Sequence, residues 1–301
     1  MATLYTQQSS NTTKTWLLMT AFLGVVVGLG FFVSVVYNNQ VIFYAAIILS
    51  LVMNVASFWY SDKIALSLAG AKAINPEGDT EHLELKRIVE NLAITAGLPT
   101  PRIYIIDDVS PNAFATGRDK NHAAIAVTTG LLSIMEKSEL EGVLAHELAH
   151  VGNRDILLSS AVIVLVGFIT IISDMFLRSM WFGGRSRDDD RGGNPLMIVG
   201  IIFIILSPIL ATLLQLAISR KREYLADATG ALITRYPEGL ANALEKIASS
   251  TQAPLIHASN ATAHLYISNP FGAKAVKGIS ALFMTHPPIE ERIRILREGR
   301  T

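Results

Sequence analysis

The chain has 301 residues, 25 of them basic and 25 acidic, for a formal net charge of zero; half of it is apolar and the mean hydropathy is +0.40. The balanced charge gives no support to nucleic-acid binding, which draws on a basic excess. Cysteine is absent, which excludes disulfides, thiolate metal sites and a cysteine nucleophile, so any metal must be held by His, Asp and Glu.

In chain order, residues 1–15 are polar, rich in Thr, Ser and Gln, and read as a flexible N-terminus. Trp16–Tyr37 and Val41–Tyr60 are apolar runs joined by only three residues. Each holds roughly the 20 residues a helix needs to cross a bilayer, so 16–60 reads as a transmembrane hairpin. Trp16, Tyr37, Tyr44, Trp59 and Tyr60 stand near its ends, where amphipathic rings prefer the headgroup level. Residues 61–155 form a first polar section. Asp79–Ala96 then carries an apolar stripe of Leu85, Ile88, Val89 and Leu92, ended by Gly97 and Pro99, and reads as a helix. Arg102–Asp107, Asn112–Thr116 and Ala123–Thr128 read as short strands, the last two paired across the turn-rich Gly117–Asn121. Ser138, with Glu141 three residues on, fits a capping box opening a helix over 139–153. Ile156–Leu177 and Leu196–Ile218 form a second pair of apolar runs around a Gly-rich charged linker, 178–195. The second polar section, 219–301, contains helical patterns at Gly239–Ala248 and Pro288–Arg297. The region 251–285 has weak periodicity and reads as a possible flap.

Two crossings separate the polar sections, so both lie on one side and form one split domain. The fold class expected is α+β and mainly helical, with a small β-sheet and about four transmembrane helices. Lys14, Lys63, Lys72, Arg154, Arg220, Lys221 and Arg222 lie near the membrane on the domain side, and the first hairpin link is uncharged. The positive-inside rule then places the domain in the cytoplasm, although the 178–195 linker also carries four arginines.

The chemistry-bearing motif is His146-Glu147-Leu148-Ala149-His150. Positions i and i+4 share a helix face, so two imidazoles can meet one zinc ion, with Glu147 beside the first as general base. The surrounding Ala145, Leu148, Ala149 and Val151 keep the site partly dry. Glu223 and Asp227 repeat the i, i+4 spacing. They are either a third ligand and a hydrogen-bond acceptor for a zinc-bound His, or a solvated charged face at a helix end. The spacing alone does not choose.

At this point the chain resembles the HtpX membrane metallopeptidases, relatives of the CAAX prenyl proteases. The residues that carry the likeness are the paired apolar hairpins, Pro111-Asn112-Ala113-Phe114-Ala115-Thr116-Gly117, the His146–His150 motif, Ser219-Arg220 with Glu223 and Asp227, and Thr285-His286-Pro287-Pro288 followed by Arg292. The resemblance implies a zincin-like domain with one zinc ion on His146, His150 and Glu223, and Glu147 as general base. It also implies a role in clearing damaged or misfolded membrane proteins from the plasma (inner) membrane.

Around the metal, His286 is expected either to stabilise the oxyanion of a tetrahedral intermediate or to bond its own backbone at a helix start. Arg292 and Arg220 are expected to tie the last helix to the floor of the site, with Asp227. Ala123, Ile125 and Val127 lie on a small uncharged strand whose free edge could pair with an extended peptide. Asn112 could bond the substrate backbone or hold a turn. His82, His122, His257 and His264 have no partner at ligand spacing and read as surface or locally bonded residues. Two other functions remain open: an intramembrane-cleaving zinc protease, and a catalytically silent metal-binding membrane adaptor. Glu136, Lys137, Glu139 and Glu141 before the motif, and Arg154 and Asp155 after it, speak against the first. The presence of Glu147, which zinc binding alone does not need, speaks against the second.

Overall fold

The computed structural model describes residues 4–165, 220–250, 265–267 and 287–299. Helix α1 runs over Leu4–Val36 and α2 over Gln40–Trp59, packed as an antiparallel hairpin with Asn39 capping α2 through its side chain. Within it, Ser9–Val36 and Gln40–Trp59 are long and apolar enough to cross a membrane. The N-terminal reading therefore changes: residues from Leu4 onward are helical, not loose. Thr13 and Thr15 turn their hydroxyls back onto Ser9 O and Asn11 O, so these polar side chains are satisfied within the helix.

Helix α3 (Ser61–Leu68) and strand β1 (Lys72–Ala73) follow, two short elements that leave little periodic signal. Helix α4 (Thr80–Ala96) is capped by Asp79, whose carboxylate accepts from Glu81 N and His82 N, and it stops where Gly97 takes φ 66°. That left-handed conformation suits a residue without Cβ. Strands β2 (Arg102–Ile106), β3 (Ala113–Thr116) and β4 (Ala124–Thr128) join β1 in a sheet of order β1-β2-β4-β3. β3 and β4 form the expected antiparallel pair, and β2 lies parallel to β4. β4 is thus an inner strand with neighbours on both sides. The free edge expected at Ala123, Ile125 and Val127 does not exist, because their backbones already face β2 and β3. The outer edge on that side belongs to β3, where Ala113 O accepts from Ile267 N.

Both faces of the sheet are covered. Ile125 and Val127 point into a core made with Leu85, Val89 and Leu92 of α4. Ala124 and Ala126 point the other way, against Leu18 and Phe22 of α1 and Leu158 and Val162. Alternate residues of a strand face opposite sides, and the small ones lie toward the membrane helices, which lets those helices approach.

Helix α5 (Thr129–Ile134) leads to α6 (Lys137–Gly152). Its capping box is built two residues earlier than expected: Glu136 is the N-cap and Glu139 reaches back to Glu136 N at 2.8 Å, while Lys246 holds Glu139 at 2.7 Å. α6 ends at Asn153, and Arg154 takes a left-handed φ of 60°. The chain then turns through 83° into α7, helical from Asp155 to Leu165. α7 lies against the membrane hairpin, where Ser57 Oγ donates to Ala161 O at 3.2 Å. Helices α8 (Arg220–Thr234), α9 (Pro237–Ser249) and α10 (Ile289–Glu298) complete the described chain. α8 and α9 pack on α6, and α10 on α9 and α8. Of the four spans expected, the described residues contain two, with α7 the start of a third run; Leu196–Ile218 and the 178–195 linker lie outside the described residues.

Candidate active site

α6 carries His146, Glu147 and His150 in its last two turns, and α8 crosses it closely. Gly230 makes that approach possible: a Cβ there would stand 3.0 Å from His146 N and 3.2 Å from the carbonyl carbon of Ala145. The crossing places Glu223, in the first turn of α8, opposite the two rings. His146 Nε2 and His150 Nε2 are 3.1 Å apart, and each lies 3.7 Å from a different oxygen of Glu223. All three ligand atoms fall within 4.8 Å of one another, the one such cluster among the described residues. Ligands held about 2.0–2.1 Å from a tetrahedral zinc are about 3.3 Å from each other, so this donor set fits one small divalent ion. His146, Glu147 and Glu223 are buried and His150 half-buried, so the site is shielded by protein.

Each imidazole is oriented from behind by its own carboxylate. His146 Nδ1 donates to Asp227 Oδ1 at 2.9 Å, and Asp227, one turn beyond Glu223, is gripped by Arg292 through Nε at 2.9 Å and Nη2 at 2.7 Å. Arg292 is the largest fully buried side chain of the described residues. Burial opposes charge on Asp227, but the Arg292 guanidinium and the His146 hydrogen bond outweigh it and hold its pKa down to about 2. Burial likewise opposes charge on Arg292, and Asp227 more than compensates, holding the guanidinium firmly protonated.

The second carboxylate is one that sequence reasoning missed. His150 Nδ1 donates to Asp155 Oδ2 at 2.9 Å. Asp155 is the first residue of α7, and the turn at Asn153–Arg154 swings it back under His150. Burial alone would lower the His150 pKa; the Asp155 hydrogen bond and the charges of Glu223, Asp155 and Glu147 raise it to about 9. Arg222, buried, sets Nε 3.6 Å from the other oxygen of Asp155. In sequence, Asp155 stands five residues past His150, off the helix register, and reads as part of a solvated flank. With both Nδ1 atoms donating to carboxylates, both Nε2 atoms face the space beside Glu223, the ring orientation that metal ligation requires once His150 Nε2 gives up its proton.

The other expected site residues fall as follows. Arg220 is exposed at the start of α8 and does not join the floor of the site; the buried arginine of that turn is Arg222, two residues on and so on the opposite side of the helix. Asn112 is fully buried and spends its Oδ1 on Ala113 N, while its backbone pairs with Thr128, so it holds the entry to β3. Ala123, Ile125 and Val127 are buried in the sheet. His82 and His122 lie at the surface, each beside an aspartate, Asp79 and Asp119. His286, His257 and His264 lie outside the described residues, as does most of 251–285.

The profile of Peptidase family M48 matches residues 79–300, the span that holds every ligand and orienting carboxylate just described. The chain belongs to this metallopeptidase family. Its kinship with HtpX proteases extends over nearly the whole length, membrane hairpin included. It is 48% identical over 300 residues to a "Protease HtpX homolog" of Thermoanaerobacter pseudethanolicus, covering 98% of this chain and 97% of that one. It is 47% identical over 287 residues to the protein of the same name from Pyrococcus furiosus, covering 95% and 94%. Among solved structures, the crystal structure of S. mikatae Ste24p shares the fold with a TM-score of 0.50 at 20% identity, over 96% of this chain and 66% of that one.

Proposed function

We propose that this chain is a zinc-dependent endopeptidase that hydrolyses peptide bonds of unfolded or misfolded membrane proteins. We further propose that it is multi-pass in the plasma (inner) membrane with its active site on the cytoplasmic side. The observation that carries the reading is the convergence of His146 Nε2, His150 Nε2 and the Glu223 carboxylate within 4.8 Å, with Glu147 buried beside the first ligand. Zinc bound there supplies a Lewis acid that brings the pKa of water toward neutrality. The protein's own residues do the rest. Asp227 and Asp155 fix the ring orientations and keep the Nε2 lone pairs forward. Glu147 takes the proton of the attacking water and passes it to the departing amine. His286, from the 251–286 region, is proposed as the donor that meets the oxyanion. The quality-control role is supported by HtpX kinship and by the corner between α6 and α7, which sets the site close to the membrane helices.

The test is Glu147→Gln beside wild type, both purified in detergent and loaded with zinc. Equal zinc content is expected, with cleavage of casein by wild type alone. Cleavage that persists in the variant would assign the chemistry to another residue. A second substitution, of His286, separates its roles: unchanged turnover with intact zinc removes it from the mechanism.

A further inference from the structure

We propose that Asn11, in the first membrane helix, is a positioning residue for His150 and acts through Asp155; the inference rests on the metallopeptidase reading above. Asn11 is fully buried. Its Nδ2 donates to Asp155 Oδ1 at 2.7 Å and to Asn153 O at 3.1 Å. The other oxygen of the same carboxylate, Oδ2, accepts from His150 Nδ1 at 2.9 Å. A chain of hydrogen bonds thus runs from the membrane hairpin to a metal ligand, spanning 144 positions of sequence in one side-chain contact.

Three features make this more than packing. First, Asn11 lies inside α1, past its first turn, so its amide is not needed as a helix cap. Second, a fully buried amide is costly unless it is hydrogen-bonded, and both of its N–H groups go to the α6–α7 corner. Its Oδ1 has no partner among the described residues, so the donor side is the side in use. Third, Asp155 needs an anchor. A carboxylate at the start of a helix can rotate about its side-chain bonds, and the Arg222 Nε on Oδ1 is long, at 3.6 Å. The short Asn11 bond fixes Oδ1 and so aims Oδ2 at His150. Residue 11 lies outside the span matched by the family profile, and the site is incomplete without the membrane segment.

The experiment uses the full-length protein in detergent, with Zn2+ as the probe and a competing chelator as the reporter. Removing a group that touches a metal ligand typically weakens metal affinity about 10–100-fold, and Asn11→Ala, one contact further out, is expected to weaken it about three- to tenfold. At saturating zinc, kcat for a model peptide falls while KM stays within about twofold, the pattern of a misaligned ligand and not of lost substrate binding. Asp155→Ala supplies the second arm. If Asn11 acts through Asp155, adding Asn11→Ala to Asp155→Ala leaves zinc affinity where Asp155→Ala alone put it. Asn11→Leu keeps the side-chain shape without the amide and is measured the same way should the alanine chain fail to fold. Wild-type zinc affinity in a folded Asn11 variant, or losses that multiply in the double variant, would overturn the inference. Neither result touches the protease reading, which fails instead if the zinc-loaded wild type does not cleave casein.

Discussion

At the scale of single residues, the site is two imidazoles, each backed by a buried carboxylate that is itself held by a second partner. Asp227 has two such dependents, His146 and Arg292. Asp227→Asn is expected to weaken zinc binding about 10–100-fold. It also strips a buried guanidinium of its counter-charge, at about 3–5 kcal/mol. Chelator competition reads the first effect and thermal unfolding the second, and an unchanged Tm would deny Arg292 its structural dependence. The His150 shift predicts a pH dependence. With its pKa raised to about 9, metal-free His150 is protonated at neutral pH, and a metal must displace that proton. Apparent zinc affinity should therefore climb with pH throughout the range below about 9 and level off above it. A plateau already reached at pH 7 would mean that Asp155 does not hold the proton on the ring. Residue identities at this scale were partly legible. His146, Glu147 and His150 announce themselves by one-turn spacing. Asp155 does not, because it is brought to His150 by a chain reversal that periodicity cannot express. For the same reason the sequence left Asn112 open between a turn and a substrate contact: its neighbour Thr128 is distant in sequence and close only across the sheet.

At the scale of elements, the geometry of the candidate metal site depends on how near α8 can come to α6. Gly230 sets that distance, since a Cβ would meet the backbone at Ala145 and His146. Gly230→Val should push the helices apart, with an overpacking cost of about 1–3 kcal/mol. It should also move Glu223 away from the rings, so that zinc binding drops more than stability does; far-UV circular dichroism with zinc titration separates the two. Retained wild-type zinc affinity would show that α8 can slide without loss. Elements with strong periodicity, α4, α6, α9 and α10, were legible within a residue or two from their apolar stripes and stop signals. The start of α6 was misplaced because Ser138/Glu141 and Glu136/Glu139 both satisfy the spacing of a box; the Lys246 ion pair, a long-range contact, favours the second. The three strands were legible and their order was not. A run of small, uncharged residues such as Ala124–Thr128 marks burial on both faces, which an inner strand shows more often than an edge. The two-residue β1 and the eight-residue α3 are too short to leave a pattern.

At the scale of the whole molecule, membrane and catalytic parts share one folded unit. The core on the membrane side of the sheet mixes Leu18 and Phe22 of α1 with Phe114, Ala124 and Ala126 of the strands and Leu158 and Val162 of α7. The hairpin was legible from its two apolar runs; its continuity with the domain was not, since the polar stretch 1–15 carries no periodic stripe to mark α1 as beginning at Leu4. The 83° corner between α6 and α7 has a mechanical consequence. A hydrophobic span that does not match the local hydrocarbon thickness tilts, at fractions of a kcal/mol per Å. Because α7 is tethered to α2 through Ser57 and the corner to α1 through Asn11, such tilting pulls on the hinge from which His150 is held. Reconstituted in lipids of graded acyl length, the protein should show a turnover optimum at one chain length, falling by up to roughly fivefold for a mismatch of about 1 kcal/mol. A flat profile would mean that the hinge absorbs the tilt; a peaked one would make bilayer thickness an input to peptide hydrolysis.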